Sequence, residues 1–320
     1  MMQTQTSESS KKKGVYQNKN RELRMVVTQS CNYNCSFCHG EGLQTEQKDN
    51  FTPEDYGFLY SVGKKYFGFE KTTLSGGEPL YRKDIVEIAN ELHKQGAKIT
   101  VTTNGVLLSQ RKGLGKYVER FNISLHSLDK EKYENIVGRK NTLERVFEGI
   151  STIKEENSAT DIRLNAALVD KVNDSEEDIK EYLSFAQKTG ASIKYMELYP
   201  RNAEGHVSLS NLEAILKQDG FKRESSDGRS AMYNKNNQKV ILSKIFCSSA
   251  EENVNPGDFC YKYNDMFVTP EGKLKPCRVS LNEVNILEEV KARNEEGLRN
   301  KINEAFTILG SECPLKCIGE

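Results

Sequence analysis

The stretch LRMVVTQSCNYNCSFCHG, residues 23–40, joins a β-rich apolar run directly to three closely spaced cysteines. Cys31, Cys35 and Cys38 stand at Cys-x3-Cys-x2-Cys, one ligand short of a closed four-ligand site. Structural zinc closes four ligands, usually from two short pairs. His39 is the only candidate fourth ligand beside the triplet, and it abuts Cys38, which makes its reach awkward. Iron–sulfur clusters also take thiolates from closely spaced loop cysteines. Three thiolates on a four-iron cluster leave one iron open, as a catalytic zinc keeps one position open. Both metals stay open on spacing alone.

Working outward, the N-terminal two thirds alternates strand-like and helix-like stretches. Strand-like runs fall at 23–29, 71–77, 98–105, 120–127, 162–170 and 192–200. Between them, Thr52 caps a helix over 52–68 with Pro53 at its first position. A second helix over 82–96 gathers Ile85, Ile88, Ala89 and Leu92 on one face and stops at Gly96. Stretches 142–156 and 175–190 follow the same pattern. Such alternation predicts an α/β fold with a parallel sheet, curled by right-handed crossovers into a partial (β/α)6 TIM-like barrel. In such barrels the chemistry sits at the C-terminal ends of strands.

Past residue 206 the pattern becomes irregular: a helix at 208–220, three short strand-like runs, a hairpin over 265–277 turning at Pro270-Glu271-Gly272, and a helix at 294–310. The expected organisation is a flexible tail over 1–20, a core over 21–205 and a smaller α+β domain over 206–320, which holds five of the eight cysteines. Lys+Arg and Asp+Glu are 46 each, so the net charge is +0, and no nucleic-acid polymer is expected as partner. No apolar run approaches the ~20 residues of a membrane span. The N-terminus lacks the apolar core of a secretory signal. Clustered cysteines without an export signal fit a reducing, cytoplasmic compartment.

The cysteine triplet, with Phe37 before its third member, resembles the radical S-adenosylmethionine superfamily. Further motifs stand in the expected order: Ser75-Gly-Gly-Glu-Pro79, Thr102-Thr-Asn-Gly105, Asn122 to Ser127 (NISLHS), Leu164-Asn165, and Met196 to Pro200 (MELYP). Each falls at or near a predicted strand end. The resemblance implies a 4Fe-4S cluster on Cys31, Cys35 and Cys38 whose open iron takes S-adenosylmethionine. Reductive cleavage of that molecule would give a 5′-deoxyadenosyl radical that abstracts a hydrogen atom. Gly76 and Gly77 would let backbone approach the methionyl end, and Glu78 would accept from its ammonium. Thr103 and Asn104 belong to the same expected cofactor set. Ser124 and Asn165 would face ribose and carboxylate. Phe37 and Tyr199 would lie by the adenine.

Cys260, Cys277, Cys313 and Cys317, with Gly272 turning the hairpin between the first two, resemble a Twitch domain, the shorter relative of SPASM domains. That resemblance implies a second, auxiliary 4Fe-4S cluster with four thiolates; a four-thiolate zinc site is the chemical alternative. Cys247 is left over, either a buried thiol or a catalytic hydrogen-atom donor. Within the superfamily the core resembles the GTP cyclases of molybdenum-cofactor biosynthesis, which places Arg24, Lys71, Thr103 and Arg163 near substrate. That family carries an Asn-Arg-x-Arg stretch where this chain has Asn264-Asp265-Met266-Phe267, and Thr73 and Tyr263 also depart from it. Tyr263 is a candidate substrate contact.

These features lead to a radical enzyme that oxidises, cyclises or epimerises a small polar or peptide substrate, served by a flavodoxin- or ferredoxin-type electron donor. A GTP 3′,8-cyclase-like nucleotide cyclase is the second reading, and a non-enzymatic iron–sulfur carrier the third.

Overall fold

The computed structural model describes residues 21–38, 40, 48–198, 205–226, 230–244, 265–278 and 280–308. The predicted strands and helices are found, the first two strands beginning two residues earlier than their sequence signals and the next four ending two to four residues sooner. By contacts the chain divides into two compact units. One comprises residues 1–30, 40–100 and 253–320; the other comprises 31–39 and 101–252. The expected boundary near residue 206 lies within the second of these.

In the first unit, β1 (Arg21–Thr28) pairs in parallel with β2 (Phe69–Gly76) and with β10 (Asp265–Val268). β11 (Lys273–Lys275) and β12 (Val284–Asn285) extend it antiparallel. Helices α1 (Pro53–Phe67) and α2 (Ile85–Lys94) pack on each other, and α1 also touches β2. Leu23, Met25, Leu74, Leu59, Ile85 and Ile88 are buried there, each worth roughly 1.5–3 kcal/mol of transfer free energy. α1 begins with a full capping box: the Thr52 hydroxyl accepts from the Asp55 amide, and the Asp55 carboxylate accepts from the Thr52 amide. Asp55 also receives Lys291 and Arg293, tying α1 to α7 (Leu287–Lys291) and the residues before α8 (Glu295–Thr307).

β3 (Lys98–Thr103) carries the chain from the first unit into the second. There β4 (Arg120–Ser124), β5 (Asp161–Ala167), β6 (Ser192–Met196) and β9 (Gln238–Ser243) run parallel, each to the next. β8 (Ser230–Lys235) and β7 (Lys222–Ser226) complete the order β4-β5-β6-β9-β8-β7. Asn236 and Asn237, with φ of 50° and 66°, make the two-residue turn between β8 and β9. α3 (Lys130–Val137), α4 (Leu143–Glu156), α5 (Glu176–Thr189) and α6 (Leu209–Gln218) belong to this unit. Among the described residues, neither unit's strands close into a ring. The fold is thus the mixed α/β class read from the sequence, with its first strands parallel and open. No helix among the described residues is long and apolar enough to cross a membrane.

Candidate iron–sulfur and substrate site

In the first unit, the end of β2 folds back on the end of β1. The Gly77 amide donates to the Thr28 carbonyl (2.9 Å) and the Glu78 amide to the Ser30 carbonyl (2.9 Å). A Cβ on Gly76 would lie 2.2 Å from the Thr28 oxygen, and one on Gly77 would lie 2.3 Å from the Gln29 oxygen. Only glycine permits this approach. Backbone of the Gly-Gly-Glu loop therefore braces the residue immediately before the cysteine triplet. Glu78 is buried, and its Oε1 caps the short turn at Pro79–Tyr81 by accepting from the Leu80 amide (2.9 Å).

One face of this sheet is polar. Register aligns Thr73, Arg24, Phe267 and Lys275 across β2, β1, β10 and β11. Two guanidinium groups approach the Phe267 ring, Arg24 at 5.6 Å and Arg278 at 5.8 Å from its centre. Lys275 is only 6% exposed. Burial lowers its pKa, opposed by the Glu283 and Cys277 charges. Lys71 is exposed. The sequence reading missed Lys275 and Arg278. Their signal was weak, because a lysine and an arginine flanking Cys277 read equally well as surface residues.

In the second unit, three elements hold the cysteine loop. The Asn34 and Ser36 amides donate to the Val137 and Ile136 carbonyls at the C-terminus of α3 (3.1 and 3.2 Å). Gly138 ends α3 with φ of 65°, and a Cβ there would meet the Asn34 oxygen at 2.6 Å. Asn104, just past β3, donates to the Asn32 side chain (2.8 Å) and accepts from Val106 (3.1 Å). Thr103 Oγ1 accepts from the Gly105 amide (2.9 Å). Phe37 packs against His126.

Burial, then the neighbouring Cys38 and Cys31, pushes the Cys35 thiol up to about 12. Three thiolates this close stabilise only around a compensating positive charge. Three closely spaced loop thiols are a donor set that an iron–sulfur cluster takes, each on its own iron.

Ser124 and Asn165 are register partners at the ends of β4 and β5, with Lys194 next on β6. Asn165 Oδ1 is buried with no hydrogen-bond partner, an acceptor suited to a ligand hydroxyl or ammonium. Arg163 stands one turn of the pleat back, beside Asn122 and Ser192. Burial and then Arg120 lower its pKa, with Asp161 opposing. Tyr199, Cys247, Cys260, Tyr263, Cys313 and Cys317 lie outside the described residues. Cys277, half-buried, is the one cysteine of the auxiliary set among the described residues.

A parallel α/β core with a three-cysteine loop after its first strand and a Gly-Gly-Glu turn after its second defines an iron–sulfur enzyme that handles a small organic cofactor. The chain belongs to the radical SAM superfamily, whose sequence model matches residues 25–183. It is similar to the curated protein named "Probable GTP 3′,8-cyclase" of Pyrobaculum aerophilum, 33% identical over 291 residues, or 89% of this chain and 93% of that one. The protein of the same name from Sulfurisphaera tokodaii is 35% identical over 301 residues, 90% of this chain and 91% of that one. Among solved structures, SuiB of Streptococcus suis bound to S-adenosylmethionine shares the fold at a TM-score of 0.64 and 18% identity, covering 92% of this chain and 70% of that one.

Proposed function

We propose that this radical SAM enzyme is a cyclase acting on a purine nucleoside triphosphate, the reaction named for its curated relatives, which narrows the oxidation, cyclisation or epimerisation of a small polar or peptide substrate read from the sequence to its second reading. The observation that carries the reading is the cationic face of the first unit. The cyclase family's arginines on β10 are Asp265 and Phe267 here. Yet Arg24, also paired with Glu22 at 3.6 Å, and Arg278 both lie within cation–π reach of Phe267, and Lys275 is its register partner. Positive charge for a triphosphate is thus kept on β1 and around β11.

In this reading Cys31, Cys35 and Cys38 hold the cluster. When bound, the cluster supplies the electron that cleaves S-adenosylmethionine and so the hydrogen-abstracting radical. Gly76 and Gly77 admit the methionyl backbone closely, and the Asn165 amide oxygen accepts from the ligand. Arg24, Lys275 and Arg278 hold the phosphates, with Lys71 and Arg163 as further contacts. Cys260, Cys277, Cys313 and Cys317 hold an auxiliary cluster in a Twitch-like region, and Cys247 donates a hydrogen atom. A flavodoxin- or ferredoxin-type protein of a reducing compartment supplies electrons.

The test is anaerobic reconstitution with S-adenosylmethionine and reductant, with and without GTP. The expected result is 5′-deoxyadenosine release stimulated by GTP, with transfer of deuterium from C3′-labelled GTP. Turnover indifferent to GTP and ATP alike would overturn the nucleotide reading. It would favour the alternative that Asp265 and Phe267 suggest, a less anionic small molecule or peptide.

A further inference from the structure

His126 is buried at the end of β4, at 5% exposure. Its Nδ1 accepts from the Ala167 amide at 3.2 Å. A ring nitrogen that accepts carries no proton, so the hydrogen bond assigns the proton to Nε2. Burial pushes its pKa down to about 4, so the ring is neutral. The ring also meets Phe37, with centroids 4.9 Å apart and planes at 77°, an edge-to-face pair. Its backbone is equally engaged. Asn173 Nδ2 donates to the His126 carbonyl (2.6 Å) and to the Ala167 carbonyl (2.8 Å), while Asn173 Oδ1 accepts from Val169 (2.8 Å). The adjacent Leu125 amide donates to the Asn165 carbonyl (3.0 Å).

An aliphatic side chain at this position would supply neither the acceptor for the Ala167 amide nor the ring against Phe37. The position needs one group with an acceptor on one edge and an aromatic surface on another. Those two edges face the end of β5 and the cysteine loop. Ala167 stands two residues beyond Asn165, and Phe37 immediately precedes Cys38.

We propose that His126 is a positioning residue that locks Phe37 of the cysteine loop to the Asn165 end of β5, so that these two contacts of S-adenosylmethionine keep a fixed separation. This rests on their cofactor role and not on the nucleotide substrate.

The experiment compares the reconstituted full chain with His126→Gln, His126→Leu, Phe37→Leu and the double variant His126→Gln/Phe37→Leu. Iron per chain, thermal midpoint and S-adenosylmethionine affinity are read, the last from the change in the EPR spectrum of the reduced cluster. GTP is absent throughout, so failure of the cyclase reading does not affect the outcome. Glutamine restores an acceptor for the Ala167 amide but not the ring. His126→Gln is therefore expected to keep its iron and thermal midpoint and to bind S-adenosylmethionine about tenfold more weakly. In the Phe37→Leu background the same change should have little further effect, because the partner ring is gone. His126→Leu should lose thermal stability as well, since it leaves the buried Ala167 amide unpaired. Unchanged affinity in His126→Gln, or an effect fully additive with Phe37→Leu, overturns the proposal. So does joint loss of iron and stability in His126→Gln, which would make His126 a residue of the fold alone.

Discussion

At the scale of single residues, the site depends on close backbone contact and on buried titratable groups. Gly77→Ala drives a methyl group to 2.3 Å from the Gln29 oxygen and 2.6 Å from the Ser30 oxygen. Backbone must shift, at an expected cost of about 1–3 kcal/mol. Thermal unfolding checks this, and 5′-deoxyadenosine formation should fall with it. His126 makes stability depend on pH. Its folded pKa, about 4, lies below the ordinary 6.5. The unfolded chain therefore takes up a proton first as pH falls, and stability drops between 6.5 and about 4, flat above that window. The expected loss is about 3 kcal/mol, read from denaturant midpoints across the range and abolished in His126→Gln. Asp55 acts lower. Burial tends to raise its pKa, but Lys291, the Thr52 amide and Arg293 outweigh that and lower it, so its contribution is lost only below the ordinary 3.8. Gly76 and Gly77 were legible in the sequence as motif residues. His126 was not, because a histidine within a strand-end motif carries no local sign of which ring it will meet.

At the scale of elements, the C-terminus of α3 is the anchor of the cysteine loop. The sequence reading passed over this helix, although Asp129 caps it by accepting from Lys132 (2.8 Å) and Gly138 ends it. Eight residues with a strongly charged first turn give little periodic apolar signal. Gly138→Ala combines a strained left-handed backbone with a contact of 2.6 Å to the Asn34 oxygen. Its expected effect is loss of bound iron after reconstitution at nearly unchanged helix content, measured by iron analysis and circular dichroism. Around β11, Lys275→Met and Arg278→Leu remove charge without removing bulk. Under the proposed nucleotide reading, each is expected to raise the KM for GTP about tenfold while 5′-deoxyadenosine formation without GTP is retained.

At the scale of the whole molecule, the first unit is assembled from both ends of the described sequence. β1 at 21–28 pairs with β10 at 265–268, and Asp55 binds Lys291 and Arg293. Ending the chain at Lys244 strips β1 of one neighbour. Hydrogen exchange should then show loss of amide protection over 23–27, while 162–166 in β5, paired with β4 and β6, stays protected. Equal protection of both strands in the shortened chain would contradict this account.

The six N-terminal strands, most helices, the hairpin at Gly272, the cysteine triplet and the Gly-Gly-Glu turn were all determined by the sequence itself. Each is written in residues a few positions apart, where propensity, capping and periodicity act. Tertiary structure alone decided that β10 lies beside β1, that Arg24 approaches Phe267, and that His126 reaches from Ala167 to Phe37. These contacts join residues distant along the chain. Parallel pairing and ring stacking depend on side-chain packing across strands, which leaves no mark in either stretch read separately.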